Sequence, residues 1–170
     1  MLIGMSKLII EPTYNPIDTP LIFLAGPIQG AYRWQDNAIA LIQVAAPELY
    51  IASPRRDAEE GEFEVEKYNE QVDWETYHLQ RAGENGVILF WLAKEFEHNC
   101  KRAYAQTSRF ELAEWKMRHE RNGARLIVGI EYWFTGAKYI RRRFSQDCPE
   151  VLLCSSLEET CREAVRMARK

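Results

Sequence analysis

Short, uninterrupted runs of apolar residues constrain the fold of this chain more than any other feature. The clearest runs lie at 21–25, 87–92 and 126–130, and the first is bounded by Pro20 and by Gly26-Pro27. A strand with one wet face alternates apolar and polar residues, whereas a continuous apolar run is typical of a strand buried on both faces. Strands of this kind occur in parallel sheets covered by helices. The runs therefore predict an α/β protein.

Further strands and helices complete this pattern. Two short apolar stretches predict additional strands, at 49–52 and 151–154. Apolar residues at helical spacing predict four helices, at 34–46, 69–82, 108–121 and 157–168. The segments between them are predicted as loops or turns, among them 55–67, 83–86 and 93–106. Strands that alternate with helices indicate a mostly parallel sheet of about five strands with helices on both faces.

The length and composition of the chain fit a single folded domain. The chain has 170 residues, of which 46% are hydrophobic and 28% are charged, so enough apolar material is present for a core. Three prolines between residues 11 and 20 indicate an extended segment. We therefore expect an N-terminal arm at 1–20 and one domain at 21–170.

Charge, hydropathy and cysteine spacing narrow the range of partners. The net charge of −3 gives no basic footprint for nucleic acid. No run approaches the roughly 18 apolar residues of a membrane helix, and the N-terminus lacks the pattern of a signal peptide. The four cysteines form no CxxC pair and no zinc pattern with the histidines. We expect a cytoplasmic protein with reduced thiols, no metal, no nucleic-acid partner and no membrane contact.

Glu111 is the first candidate for chemistry. It follows the long loop after the apolar run 87–92, near the predicted start of a helix. Ser108 and Glu111 fit an S-x-x-E capping box, which is a structural interpretation. The functional interpretation is a carboxylate held at the ligand-binding edge of the sheet. A helix N-terminus stabilises negative charge, so we expect Glu111 to be ionised.

Glu75 is the second candidate, in the middle of the helix predicted at 69–82. An ordinary solvent-facing glutamate is one interpretation. The other is a second carboxylate facing the same cleft as Glu111. Two such carboxylates can divide glycosidic chemistry, because one attacks or stabilises the sugar centre while the other handles a proton.

Residues that follow the strands are the remaining candidates, since ligands bind beyond the carboxyl ends of parallel strands. Gly26 and its neighbours follow the first run. Trp91 closes the run 87–92 and could stack on a base or pack in the core. Arg55 and Arg56 could bind a 5'-phosphate or form part of a solvated loop.

The helix predicted at 108–121 carries two apolar stripes. One contains Phe110 and Met117, and the other contains Leu112, Trp115 and His119. A helix with two apolar faces packs on the sheet and on a second partner. We therefore expect a homo-oligomer that forms through the Leu112 stripe.

Three strings in this order resemble the nucleoside 2-deoxyribosyltransferase-like family. They are LAGPI at 24–28, QxxWExxHLxxA at 71–82 and TSxxELxEW at 107–115. The resemblance covers roughly residues 21–130. The wider superfamily includes nucleoside deoxyribosyltransferases and 2'-deoxynucleoside 5'-phosphate N-hydrolases.

The resemblance implies a flavodoxin-like fold and a cofactor-free enzyme for a small nucleoside or nucleotide. Glu111 matches the family nucleophile, which attacks C1' and forms a deoxyribosyl-enzyme. Glu75 occupies the place of a family aspartate near the departing base. The remaining matches are expected to bind substrate: Gly26, Pro27, Ile28, Thr107 and Ser108. Transfer of the sugar to a second base is the leading expectation. Hydrolysis and a non-catalytic nucleotide-binding or sensor domain are the alternatives.

Overall fold

The structure, a computed structural model, describes residues 7–55 and 65–170. Within these residues the strands are β1 (Leu8–Ile10), β2 (Leu21–Ala25), β3 (Tyr50–Ser53), β4 (Gly86–Leu92), β5 (Leu126–Ile130) and β6 (Leu153–Cys154). The helices are α1 (Trp34–Ala45), α2 (Val65–Glu84), α3 (Gln106–Asn122), α4 (Ala137–Asp147) and α5 (Leu157–Ala168).

The strands form one parallel sheet in the order β1-β3-β2-β4-β5-β6. The predicted flavodoxin-like α/β fold is confirmed, with one strand more than expected. The additional strand is β1, in which Leu8 pairs with Ile51 at the sheet edge. These residues were assigned to the N-terminal arm, because a strand of three residues is too short to show a periodic pattern.

Side chains of β4 alternate between the two faces of the sheet, as the pleat requires. Ile88, Phe90 and Leu92 enter a core that also contains apolar residues of α2, α3 and α4. Leu89 and Trp91 enter the opposite core, which the sheet forms with α1 and α5. Both faces of the central strands are therefore covered, which explains why the sequence runs are apolar throughout.

The helices differ from prediction at their ends. α2 continues to Glu84, although residues 83–86 were predicted as a turn. A Cβ atom at Gly83 would lie 2.7 Å from the ring of Trp115, so the glycine allows α3 to approach α2 closely.

α4 was not predicted, because its sequence is mostly polar and charged. The loop predicted at 55–67 lies partly outside the described residues, and α2 already begins at Val65.

In residues 7–55 and 65–170, no helix is long and apolar enough to cross a membrane.

Candidate active site

A pocket of about 380 Å³ opens at the carboxyl end of the sheet, on the face covered by α2 and α3. At this point the connections that leave two neighbouring strands pass to opposite faces of the sheet. β2 continues into α1 on one face, while the neighbouring β4 leads to α3 on the other. Diverging connections of this kind leave a crevice that binds ligands in open parallel sheets. The fold itself therefore creates this pocket.

Glu75 and Glu111 both line this pocket. Glu75 projects from α2, and Gln71, one helical turn earlier, donates its side-chain amide to Glu75 Oε1 at 2.9 Å. Glu111 projects from α3. Residues from two helices thus place two carboxylates in one cavity, as the functional interpretation requires. The amide of Gln71 holds the Glu75 carboxylate in a defined orientation.

The electrostatic state of Glu111 differs from the expectation. Burial, together with the charges of Glu75 and Glu114, raises the pKa of its carboxyl to about 8. The expected stabilisation by the helix N-terminus is absent because Glu111 is the sixth residue of α3, and the dipole effect falls off within the first turn. At neutral pH Glu111 is therefore protonated.

The capping-box interpretation is wrong. α3 begins at Gln106, and its N-cap is Ala105, which has a left-handed backbone with φ of 58° and makes no side-chain cap. Ser108 is instead the third residue of the helix and is buried. Thr107 is exposed, and both Thr107 and Ser108 line the pocket. Both residues therefore lie at the site, as predicted. The capping box expected for Ser108 is not what places it there.

Gly26, Pro27 and Ile28 line the pocket as expected. Gly26 has a φ of 153°, and the carbonyl oxygen of Trp91 occupies the space that a Cβ atom would need. Only glycine fits this backbone. The indole nitrogen of Trp34 donates to the Pro27 carbonyl at 2.9 Å, which fixes the loop over the pocket.

Trp91 does not line this pocket. Its side chain is 2% exposed in the core on the α1 and α5 face, and its indole nitrogen donates to the hydroxyl of Tyr32 at 3.2 Å. The alternation of β4 turns Phe90 toward the α2 and α3 face instead. The structure therefore does not support the predicted base-stacking role of Trp91. Its side chain packs in the core instead.

Several lining residues were not found by sequence reasoning. Arg55 lies in the pocket wall as considered, whereas Arg56 falls outside the described residues. The main additions to the lining are Arg33, Tyr68, Gln71, Val72 and Arg102. Those on α2 share the helical face of Glu75, so their spacing was a usable signal. No local pattern marks Arg102, which reaches the pocket from the loop before α3.

Among the described residues, no group of three or more His, Cys, Asp or Glu side chains is arranged to hold a metal ion. All four cysteines are free thiols.

The fold and the pocket define a flavodoxin-like protein with a pair of carboxylates at the switch point of its sheet. Residues 19–130 match the family described as nucleoside 2-deoxyribosyltransferase like, and the chain belongs to this family. Comparison with curated proteins finds no match. Among solved structures, a conserved protein from Enterococcus faecalis V583 is similar, with 12% identity and a TM-score of 0.47. That comparison covers 88% of this chain and 99% of the other.

Proposed function

We propose that this protein cleaves the N-glycosidic bond of a 2'-deoxynucleoside or its 5'-monophosphate and transfers the deoxyribosyl group to a second base. One observation carries the proposal: Glu75 and Glu111, from two different helices, meet in one pocket of a chain that belongs to this family. Paired carboxylates in a partly enclosed site suit glycosidic chemistry, in which one carboxylate bonds to the sugar and the other manages a proton.

The proton held by Glu111 suggests how the first step proceeds. An oxygen of Glu111 bonds to C1' while the bond from C1' to the base nitrogen breaks. The electron pair of that bond goes to the base. The proton of Glu111 passes through Glu75 to the departing base, so that no new charge is left in the pocket. The contact from Gln71 keeps Glu75 oriented for this transfer.

The second step reverses the first with a new acceptor. The nitrogen of a second base bonds to C1', the ester bond to Glu111 breaks, and the proton displaced from the acceptor returns through Glu75 to Glu111. Covalent capture thus divides one difficult displacement into two easier ones. Water in place of the second base would give hydrolysis by the same route.

Incubation with a panel of 2'-deoxynucleosides and their 5'-monophosphates, each with a different free base, tests the proposal. Chromatography should show a new nucleoside or nucleotide carrying the added base. Release of free base without exchange would instead identify a hydrolase. Tight binding without turnover would indicate a sensor domain, and neither binding nor turnover would refute the proposal.

The shared proton predicts a pH dependence. The departing base takes up the proton that Glu111 holds, so the active form is the pair with one proton. Because the pKa of Glu111 is raised to about 8, we expect kcat/KM to fall above this pH by about tenfold per pH unit. Initial rates between pH 5 and pH 10 measure this. A rate that keeps rising through pH 9 would show that the fully ionised pair is the active form.

The surface proposed for self-association differs from the one expected from the sequence. Leu112 and Trp115 are each only 4% exposed and belong to the core, so the stripe expected to form an interface is not available. The opposite stripe is exposed, with Phe110 at 74% and Met117 at 47%. We propose that a homo-oligomer forms through this exposed Phe110 stripe, since a monomer would leave it in contact with water.

The Phe110→Asp variant tests this interface. Loss of a buried phenylalanine contact costs about 1.5–3 kcal/mol, so we expect self-association to weaken by about 10- to 100-fold. Light scattering over a concentration series measures the change. Phe96→Asp is the matched control, because Phe96 is 75% exposed but lies outside the helix. A wild-type chain that stays monomeric at micromolar concentration would contradict the proposal.

A further inference from the structure

Two aromatic rings project from the turn that follows β5. The backbone amide of Phe134 donates to the Glu131 carbonyl at 3.1 Å, which closes a turn around Tyr132 and Trp133. These two side chains are 75% and 76% exposed, and their ring centroids lie 4.6 Å apart. Both rings therefore lie outside the two cores and in contact with water.

Both ends of this turn are anchored. The Glu131 amide donates to the Leu92 carbonyl at 3.1 Å, and Glu131 Oε2 accepts from the backbone amide of Lys94 at 2.8 Å. At the other end Phe134 is buried, and the Arg109 guanidinium lies 4.4 Å from the centroid of its ring. The turn thus presents its two exposed rings from a fixed backbone, which lowers the entropy lost when a partner binds them.

Trp133 occupies a backbone position that tryptophan rarely adopts. Its φ is 75°, and the third residue of a turn with positive φ is normally glycine or asparagine. A bulky residue at this position strains the backbone, and burial offers no compensation because the ring is exposed. The turn alone would favour glycine, so the tryptophan points to a role for its ring outside the fold.

The helix after the turn adds positive charge. Residues 132–146 contain four basic residues and no Asp or Glu. Lys138 and Arg142, four residues apart on α4, are both exposed and lie on the same face of the helix. Within residues 7–55 and 65–170, no carboxylate forms an ion pair with either of them. Tyr139, next to Lys138 in sequence, is 66% exposed, and its hydroxyl accepts from Arg143 at 3.2 Å.

We propose that Tyr132, Trp133, Lys138, Tyr139 and Arg142, together called the turn–helix surface, bind a single-stranded nucleic acid. Phosphates of the strand contact the two cations, and its bases stack on the exposed rings. Basic side chains interleaved with aromatic rings are typical of single-strand binding, because every base has a face that can stack. None of the five residues lines the pocket of Glu75 and Glu111, so the surface is a second site, independent of the proposed reaction.

Other partners fit the turn–helix surface less well. A helix that lies on a membrane needs an outward apolar face, whereas Phe144 of α4 is buried in the core and Ile140 packs against that core. A second copy of the chain, paired through this surface by a two-fold axis, would bring the basic residues against one another. A nucleic-acid duplex keeps its bases inside the stack, so it would offer no base face to the rings of the turn.

The net charge of −3 predicted no nucleic-acid partner, because it is an average over the whole chain. The cations of the turn–helix surface are concentrated in one segment, while the acidic excess lies elsewhere in the sequence. Contacts between exposed cations and phosphates are screened by salt. Binding should therefore be strongest at low ionic strength.

Fluorescence anisotropy of labelled oligothymidylate and oligouridylate tests the surface. We expect both to bind the wild-type chain at low salt with similar affinity, because stacking and phosphate contacts do not require a 2'-hydroxyl. Trp133→Ala should weaken binding by about 5- to 150-fold, the range for one lost stacked base. Trp133→Gly should bind as weakly but melt at a higher temperature than Trp133→Ala, because glycine accepts the positive φ. Wild-type affinity in both variants would overturn the inference.

The salt dependence of the same binding tests the two cations. For a single strand, the logarithm of the binding constant falls with the logarithm of the salt concentration, with a slope of about −0.7 for each phosphate contacted. Lys138→Gln and Arg142→Gln should each reduce the magnitude of this slope by about 0.7, and Trp133→Ala should leave it unchanged.

Arg162→Gln is the matched control for the two cations. It also removes one exposed positive charge, but from α5, which covers the opposite face of the sheet. We expect it to leave the slope as in wild type. A slope that Arg162→Gln reduces as much as Arg142→Gln does would indicate a general effect of charge and would overturn the site.

Binding of anionic phospholipid vesicles, polyglutamate and a DNA duplex separates the other partners. We expect the wild-type chain to bind each of these probes more weakly than it binds oligothymidylate. A probe that binds more tightly than oligothymidylate, and whose binding Trp133→Ala weakens, would assign the turn–helix surface to that partner and overturn the inference. Failure of both oligonucleotides to bind at low salt would overturn it as well.

Discussion

Replacement of Glu111 by glutamine should abolish both base exchange and base release. We expect a loss of at least about 10⁴-fold in kcat, on the scale seen when an enzyme loses its nucleophile. Both reactions require the ester between Glu111 and C1', and an amide cannot form it. Chromatographic rates with the best substrate measure the loss. Glutamine has nearly the same shape as glutamate, so the pocket should keep its form.

Thermal unfolding of the same Glu111→Gln sample shows whether Glu111 has a structural role instead. The pKa of Glu111 is about 8 in the folded chain against an ordinary 4.5, so between these values the folded state holds a proton that the unfolded state lacks. Wild-type stability therefore falls as pH rises, by at most about 1.4 kcal/mol per unit. An amide carries no such penalty, and the variant should unfold at a higher temperature than wild type at pH 8.

Glu120→Gln is the matched control for this variant. Glu120 is an exposed residue of the same helix and pairs with Lys116. We expect its removal to leave activity within about twofold of wild type, because surface ion pairs contribute little. A Glu111→Gln variant that folds and retains full activity would remove Glu111 from the mechanism and would refute most of the case for glycosyl transfer.

The sheet could be predicted from sequence because its strands are buried on both faces. Continuous apolar runs located β2, β4 and β5 without any three-dimensional information. The edge strand β1 was missed because three residues give no period. The charged helix α4 was missed because its stability comes from packing contacts such as those of Phe144 in the core, which local composition does not reveal.

Site residues could be predicted from the sequence where their chemical type and their position in the fold were enough to identify them. Glu111 was placed at the carboxyl edge of the sheet because ligands bind beyond the ends of parallel strands. Glu75, which lies in the middle of a helix, was placed beside it by the family resemblance. The ionisation of Glu111 was predicted wrongly, since its pKa depends on burial and on the charge of Glu75, and neither is a local property. The two stripes of α3 were confused because both are apolar. Only the packing of the folded chain, in which Trp115 lies against Gly83, shows that the Leu112 stripe faces inward.

Glu75 should control the departure of the base. A carboxylate that passes a proton to the leaving nitrogen typically contributes about 10²- to 10⁴-fold, so we expect Glu75→Gln to lower kcat by this factor while the fold is retained. Glutamine cannot relay a proton, although it can still contact Gln71. Turnover of the best substrate and the melting temperature, measured on one sample, give both quantities.

The same variant should also shift the pH profile. The negative charge of Glu75 is one cause of the raised pKa of Glu111, so its removal should lower that pKa and move the alkaline fall in kcat/KM below pH 8. Asp73→Asn is the matched control, because Asp73 is an exposed residue of the same helix that does not line the pocket. A purely structural Glu75 would leave the position of the fall unchanged. Wild-type rates together with an unshifted profile in Glu75→Gln would therefore rule out the proton relay through this carboxylate.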